Sequence, residues 1–319
     1  MERYVLGVDL GGTKINASLV ALDGKIEKSV VIPTMAHKGE KIVKGRINNA
    51  IEEILKTTSK EDILALGIGA PGPLDSKSGI IIKAPNLPFE NFNITDSIKK
   101  KFSLPTYLDN DANAAAIGEY IFGSGKNTMN MGYITFSTGV GAGVIINGKI
   151  YRGSTGNALE IGHTTLDKNG PICGCGNRGC AEALCSGTAI AKKAIAALKG
   201  KVKTSLRKYK NITAKEVMRE AKEGDKISIE IMEEIIEYIG ICVGNMLVTF
   251  DPEKIILGGG LFSEKNYLLP KVKKVVQKRV FPKLVNSCSI EESYLGKNAG
   301  VIGAAAIAIM ESDINEIGS

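Results

Sequence analysis

β-Favouring residues run over 4–10, break at Gly11, Gly12, Thr13 and Lys14, and resume over 15–22. Asp23-Gly24 then turns the chain into a third such run over 25–32, and an Asp-Gly step between two β-rich runs is a strong type I′ hairpin signal. The pattern predicts a three-stranded meander with a glycine loop at its first turn. The same order recurs from 132–136, through Ser137-Thr138-Gly139-Val140-Gly141-Ala142-Gly143, a strand to Ile146, a turn at Asn147-Gly148 and a further strand from Lys149. Both copies carry Gly-Lys-Ile at the second turn. Such a duplication predicts two like domains facing each other across a cleft.

Between the copies, Ile47, Ile51, Ile54 and Leu55 fall at helical spacing. A buried strand over 63–70 ends in Pro71-Gly72-Pro73, another over 79–83 leads into Ala84-Pro85-Asn86, and 95–102 reads as a helix. A short strand over 106–108 delivers Asp109-Asn110-Asp111 to a run of strong helix formers over 112–122. Downstream, helices are expected over 183–198, 214–223 and 227–250, then a strand over 253–257 that runs into Gly258-Gly259-Gly260. A helix over 263–280 kinked at Pro270, a strand over 289–295 and an Ala-rich helix over 299–310 close the chain. No linker separates the halves, so the boundaries are expected at crossovers. The division is a smaller α/β domain of 1–109 plus 298–319, closed by the C-terminal helix, and a larger α/β domain of 110–297.

Composition narrows the class. At 319 residues the chain is long enough for two ordinary domains, and 37 glycines suit an α/β protein with many tight turns. The net charge of +7 is spread over lysines on amphipathic helices, with one short cluster at Lys99, Lys100 and Lys101, which describes a solvated surface rather than a nucleic-acid face. The longest apolar run, over 299–310 with two glycines, is too short to span a bilayer. Met1-Glu2-Arg3 leads straight into a strand without a signal peptide, and a cytoplasmic protein is expected. Cys185, Cys242 and Cys288 sit in apolar contexts and read as core thiols.

The other three cysteines carry chemistry. Cys173, Cys175 and Cys180, interleaved with Gly174, Gly176 and Gly179, have the tight-turning spacing of a metal knuckle, and His163 is near enough to complete a tetrahedral zinc site. A disulfide with a spare thiol is the competing reading, which reduced cytosolic thiols disfavour. Glu160 and Glu182 flank the ligand set, so one ion would fix two carboxylates and an imidazole in a small volume suited to a polar substrate. The same ligands would equally serve a purely structural site. Loops at 11–14, 138–143 and 258–260 each follow a strand and offer unobstructed backbone N–H groups for phosphates. None fits a Walker A or Rossmann pattern. The duplicated pair suits a nucleotide polyphosphate, with Asp9 placed to hold Mg²⁺ through water. Asp111 sits at a strand-to-helix junction, where open α/β sheets carry reactive groups, and could also serve as the N-cap of its helix. His37 receives no role.

Asp9-Leu10-Gly11-Gly12-Thr13-Lys14, Asn110-Asp111-Ala112-Asn113-Ala114-Ala115, the Thr138-to-Gly143 loop, Glu160-Ile161-Gly162-His163 and the cysteine run ending in Ala181-Glu182 together resemble the ROK family (repressors, open reading frames, kinases) of bacterial sugar kinases. The resemblance covers essentially the whole chain and is strongest to the glucokinase branch. It implies the actin-like, ribonuclease-H-like fold, two duplicated domains with ATP in the cleft and an aldohexose beside it. Asp111 would match the catalytic base, and Asn86, Asn110, Asp111, Glu160, His163 and Glu182 the sugar contacts. Gly11, Gly12, Thr13, Lys14, Thr138 and Gly139 would match the phosphate loops, and Gly259 and Gly260 the loop near the adenosine. His163, Cys173, Cys175 and Cys180 would hold structural Zn²⁺. The implied activity is ATP-dependent conversion of glucose to glucose 6-phosphate, with an N-acetylhexosamine kinase (N-acetylglucosamine or N-acetylmannosamine) or a non-catalytic sugar-sensing regulator as alternatives. A repressor would need a DNA-binding segment ahead of the first strand, and three residues precede Tyr4. The family also suggests a homodimer, with no nucleic-acid or membrane partner.

The implied chemistry agrees with the residues. A sugar hydroxyl is a poor nucleophile, so phosphoryl transfer to it needs a carboxylate within hydrogen-bond reach and N–H-rich surroundings for the transferred group. His163 can ligate metal through one ring nitrogen and bond a sugar hydroxyl through the other.

Overall fold

The computed structural model describes residues 3–84, 86–264 and 266–312. In chain order the elements are β1 (Tyr4–Leu10), β2 (Lys14–Ala21), β3 (Ile26–Pro33), α1 (Glu40–Leu55), β4 (Ile63–Ala70), β5 (Leu74–Asp75), β6 (Ile80–Lys83), β7 (Glu90–Asn93), α2 (Ile94–Phe102), β8 (Thr106–Asn110) and α3 (Asp111–Phe122). They continue with β9 (Met131–Phe136), β10 (Val140–Ile146), β11 (Lys149–Ile150), α4 (Ala181–Cys185), α5 (Gly187–Leu198), α6 (Ala214–Lys222), α7 (Lys226–Phe250), β12 (Lys254–Gly258), α8 (Leu269–Arg279), α9 (Pro282–Ser287), β13 (Ser289–Glu292) and α10 (Ala299–Glu311). Two compact units emerge: 1–127 with 143–158 and 297–319, and 128–142 with 159–296. The first unit thus runs past 109 to include α3. Among the described residues, no helix is long and apolar enough to cross a membrane.

The first sheet has the order β3-β2-β1-β4-β8. β1 pairs antiparallel with β2 and parallel with β4, and β4 pairs parallel with β8. Its central strands are apolar on both faces because both are covered. One face packs on α1 through Val43, Ile47, Ile51 and Ile54. The other receives α10, which lies so close that a Cβ on Gly67 would fall 1.9 Å from the Ala304 carbonyl oxygen. That approach explains the Ala-rich composition of the last helix: only small residues let its backbone reach the strands.

Strands β9–β13 form a second sheet in the order β11-β10-β9-β12-β13, with β12 parallel to β9 and β13. The order repeats that of the first sheet, as the internal duplication predicts. In the second unit, α7 buries Ile231, Ile235, Ile239, Cys242, Val243 and Met246 at helical spacing in a core shared with β9 and β12.

Local differences from the sequence reading have local causes. Asn147 and Gly148 both have positive φ (51° and 76°) between paired Ile146 and Lys149, which is the expected two-residue type I′ turn. At Asp23-Gly24 only Gly24 is left-handed (φ 92°), within a three-residue loop closed by Ala21 N–H to Lys25 O. The register of β2 with β3 shifts at Leu19/Val20, so this turn is not type I′. The helix expected over 183–198 breaks at Ser186, whose hydroxyl accepts the Ala189 N–H and restarts the chain as α5. Pro270 falls in the first turn of α8 instead of kinking it, where a missing N–H costs nothing. The last strand stops at Glu292, and a small sheet of β5, β6 and β7 occupies 74–93.

Candidate functional site

In the first unit the expected residues gather at the C-terminal ends of parallel strands. Asp9 pairs in register with Gly69 of β4, which pairs with Asp109 of β8, and Ala70 pairs with Asn110. Two strand spacings place the Asp9 and Asp109 backbones roughly 10 Å apart. Burial raises the Asp9 carboxyl above its usual range, against the pull of Lys14. The bend after β1 is closed by Gly11 N–H to Lys14 O, and Thr34 ties to it from β3's end by donating its hydroxyl to Gly11 O (2.6 Å) and its N–H to Thr13 O. Asn86 is brought to this bend: a Cβ on Gly12 would lie 2.6 Å from the Asn86 Cβ.

At the β8–α3 junction the cap is Asn110, not Asp111. The Asn110 Oδ1 accepts the Ala112 N–H at 2.8 Å, which leaves Asp111 as the exposed first residue of α3. A carboxylate there is favoured by the helix dipole. Sequence reasoning gave no role to Asp109, which is 0 % exposed and accepts from Asn110 N–H (2.7 Å), Asn113 Nδ2 (2.9 Å) and Arg152 Nε (2.8 Å). Burial pushes its carboxyl up, opposed by Arg152 and those hydrogen bonds.

The second unit gathers the remaining residues. Glu182, in the short helix α4, accepts the Val140 N–H at 3.2 Å, which places its carboxylate directly under the Thr138-Gly139 turn. The start of α5 holds the same turn: Gly187 donates to Ser137 O and Thr188 Oγ1 to Thr138 O. Gly259 and Gly260, at the end of β12, lie against Phe136 and Ser137. Glu160 is exposed and His163 half-buried, three residues apart around a single helical turn over Ile161–His163.

His163, Cys173, Cys175 and Cys180 present ligand atoms that all lie within 4.8 Å of one another. Cys173 Sγ is 3.7 Å from His163 Nδ1, and Cys175 Sγ is 3.7 Å from Cys180 Sγ. Zinc–thiolate bonds of about 2.3 Å set tetrahedral edges of about 3.8 Å, so the set fits one such ion. With Nδ1 on the ligand side, the His163 Nε2 is left for another partner. The backbone prepares the set through Cys173 N–H to Asn177 O, Gly176 N–H to Cys173 O and Leu166 N–H to Gly179 O. Buried Cys180 is a thiol pushed up to about 12 by desolvation, so a cation must offset that cost for it to ligate as thiolate. Gly179 has φ 69°, and a Cβ there would fall 1.5 Å from Asp167 O. Gly179→Ala is therefore expected to cost at least about 1–3 kcal/mol locally and to lower bound metal well below one equivalent, measured by elemental analysis and thermal unfolding.

The profile that describes the ROK family matches residues 5–311. The chain belongs to the ROK family. This ROK protein is 33% identical over 325 residues to a glucokinase from Halalkalibacterium halodurans, spanning 100% of this chain and 98% of the relative. It is also 33% identical to a xylose repressor from Bacillus spizizenii, over 96% of this chain and 77% of that protein. Among solved structures, a ROK family glucokinase from Streptomyces griseus in complex with glucose and AMPPNP superposes with a TM-score of 0.81 at 31% identity, covering 96% of this chain and 99% of that one. The duplicated sheets are those of the actin-like ROK fold.

Proposed function

We propose that the chain is an ATP-dependent hexose kinase that converts glucose to glucose 6-phosphate. One observation carries the reading: Asp111 stands exposed at the same end of the sheet as Asp9 and the 11–14 bend, so a carboxylate and a glycine turn share one rim of the sheet. The similarity to glucokinases over the whole chain supports it. Asp111 takes the proton of the attacking hydroxyl as its oxygen bonds the γ-phosphorus, while the bond from that phosphorus to the β,γ-bridging oxygen breaks and ADP leaves. Asn86, Asn110, Glu160, His163 and Glu182 hold the sugar. Gly11, Gly12, Thr13, Lys14, Thr138 and Gly139 bind the phosphates, and Gly259 and Gly260 border the adenosine. Mg²⁺, held through Asp9, would neutralise phosphate charge, while Zn²⁺ on His163 and the three thiolates would fix the orientation of the imidazole. Thiolate ligands suit the reducing cytoplasm.

A coupled assay across glucose, mannose, fructose, N-acetylglucosamine and N-acetylmannosamine tests this. The highest kcat/KM is expected for glucose. Preference for an N-acetylated hexosamine would move the substrate, because the same carboxylates can hold a different 2-substituent. The similarity to a xylose repressor favours a second reading, a sugar sensor, and sugar binding without any sugar-stimulated ATP turnover would favour it over the first.

A further inference from the structure

Arg152 lies in the 143–158 segment of the first unit, 43 positions along the chain from Asp109. Its guanidinium makes three polar contacts: Nε to Asp109 Oδ2 at 2.8 Å, Nη2 to the same oxygen at 2.7 Å, and Nη2 to Glu311 Oε1 at 2.5 Å. Asp109 is fully buried, and its two oxygens divide their partners. Oδ2 takes the guanidinium, while Oδ1 takes the Asn110 N–H and the Asn113 side-chain amide. The guanidinium therefore fixes the rotation of a carboxylate whose other oxygen holds the Asn110 N–H and, through the Asn113 side chain, the first turn of α3.

We propose that Arg152 is a positioning residue, which acts through Asp109 to fix the β8–α3 junction carrying Asn110 and Asp111. The role rests on the hexose-kinase reading. Without Arg152 the buried Asp109 keeps two neutral donors but loses its counter-charge, so it must take up a proton or draw in water. Either response loosens the acceptor that holds the Asn110 N–H. Arginine is needed because its planar fork reaches two carboxylates at once, whereas a lysine ammonium on a flexible stem does not reproduce that geometry. The anchor at Glu311 adds α10, which already packs on the sheet, so the fork joins strand, loop and helix at one point.

The test compares Arg152→Met and Arg152→Lys with the wild type for melting temperature, kcat, glucose KM and AMPPNP affinity. In Arg152→Met, kcat is expected to fall about tenfold to hundredfold, the cost of displacing a catalytic group by about 1 Å, while AMPPNP affinity stays within about twofold. Arg152→Lys keeps the charge and the melting temperature but restores only part of kcat. Wild-type kcat and glucose KM in folded Arg152→Met would overturn the proposal. So would losses of kcat and AMPPNP binding that fall together with the folded fraction. If Arg152→Met does not fold, Arg152→Lys decides, and wild-type kcat there overturns the role. A wild type that phosphorylates no hexose would instead overturn the kinase reading, a result distinct from all of these.

Discussion

Asp111→Asn is expected to lower kcat for glucose by about 10²–10⁴-fold, the usual range for removing a general base, with glucose still bound. The substitution keeps the shape of the side chain and removes its capacity to accept a proton. It should not unfold the junction, because the cap of α3 is the Asn110 side chain and not Asp111. The cost of losing a negative charge from the first helical position is about 0.3–1 kcal/mol. Turnover and stability therefore separate: kcat collapses while the melting temperature barely moves. Calorimetric titration with glucose completes the measurement. A variant that turns over at the wild-type rate would mean that the hydroxyl proton leaves by another route. Asn110→Ala makes the complementary control, since it removes the cap and should cost about 1 kcal/mol of stability.

Many strands, helices and the Cys/His cluster were legible in the sequence, and the exceptions have physical reasons. β1 and β4 were legible to the residue because their apolar runs end in glycine and proline turns that no strand can pass. The Cys/His cluster was legible because its members lie within eighteen positions of one another and their spacing points to a knuckle. The sequence reading offered Asp111 as the cap and the structure gives Asn110, since both residue types cap well and only the φ/ψ of Asn110 (−63°, 146°) decides it. Pro270 is compatible with a kink or a helix start, and the start is fixed by where the chain reaches the core. Asp109 and Arg152 were illegible for a different reason. Each is an ordinary charged residue in its own segment, and a pair brought together across 43 positions leaves no periodicity or spacing to read. The strands β5 and β7, two and four residues long, are too short for alternation to declare itself, whereas the apolar run of β6 was legible.

Removal of the metal is expected to disable sugar binding while leaving most of the fold intact. Three of the four proposed ligands lie in a stretch with little core of its own: Cys173 and Cys180 are buried, but Ile172 beside them is 66 % exposed. Without an ion, a few backbone hydrogen bonds would have to hold a turn that includes two left-handed glycines, Gly176 and Gly179. The core around α7, by contrast, is built from Ile235, Ile239, Val243 and Met246 and owes nothing to the metal. Cys180→Ser, or treatment with a strong chelator, should therefore raise hydrogen exchange over 163–180 and leave α7 protected. Glucose KM should rise by at least about tenfold, comparable to the 10–100-fold effects of disturbing a metal's supporting shell. The direction follows from the chain itself, because His163 is both a member of the Cys/His cluster and the end of the turn that starts at Glu160. Freeing His163 releases the exposed carboxylate with it, and Glu182 is loosened from the other side as Cys180, two residues before it, loses its anchor. A metal-free protein that keeps wild-type glucose KM would show that the turn holds without its ion. Retained exchange protection over 163–180 in that protein would place the support in the hairpin's own hydrogen bonds.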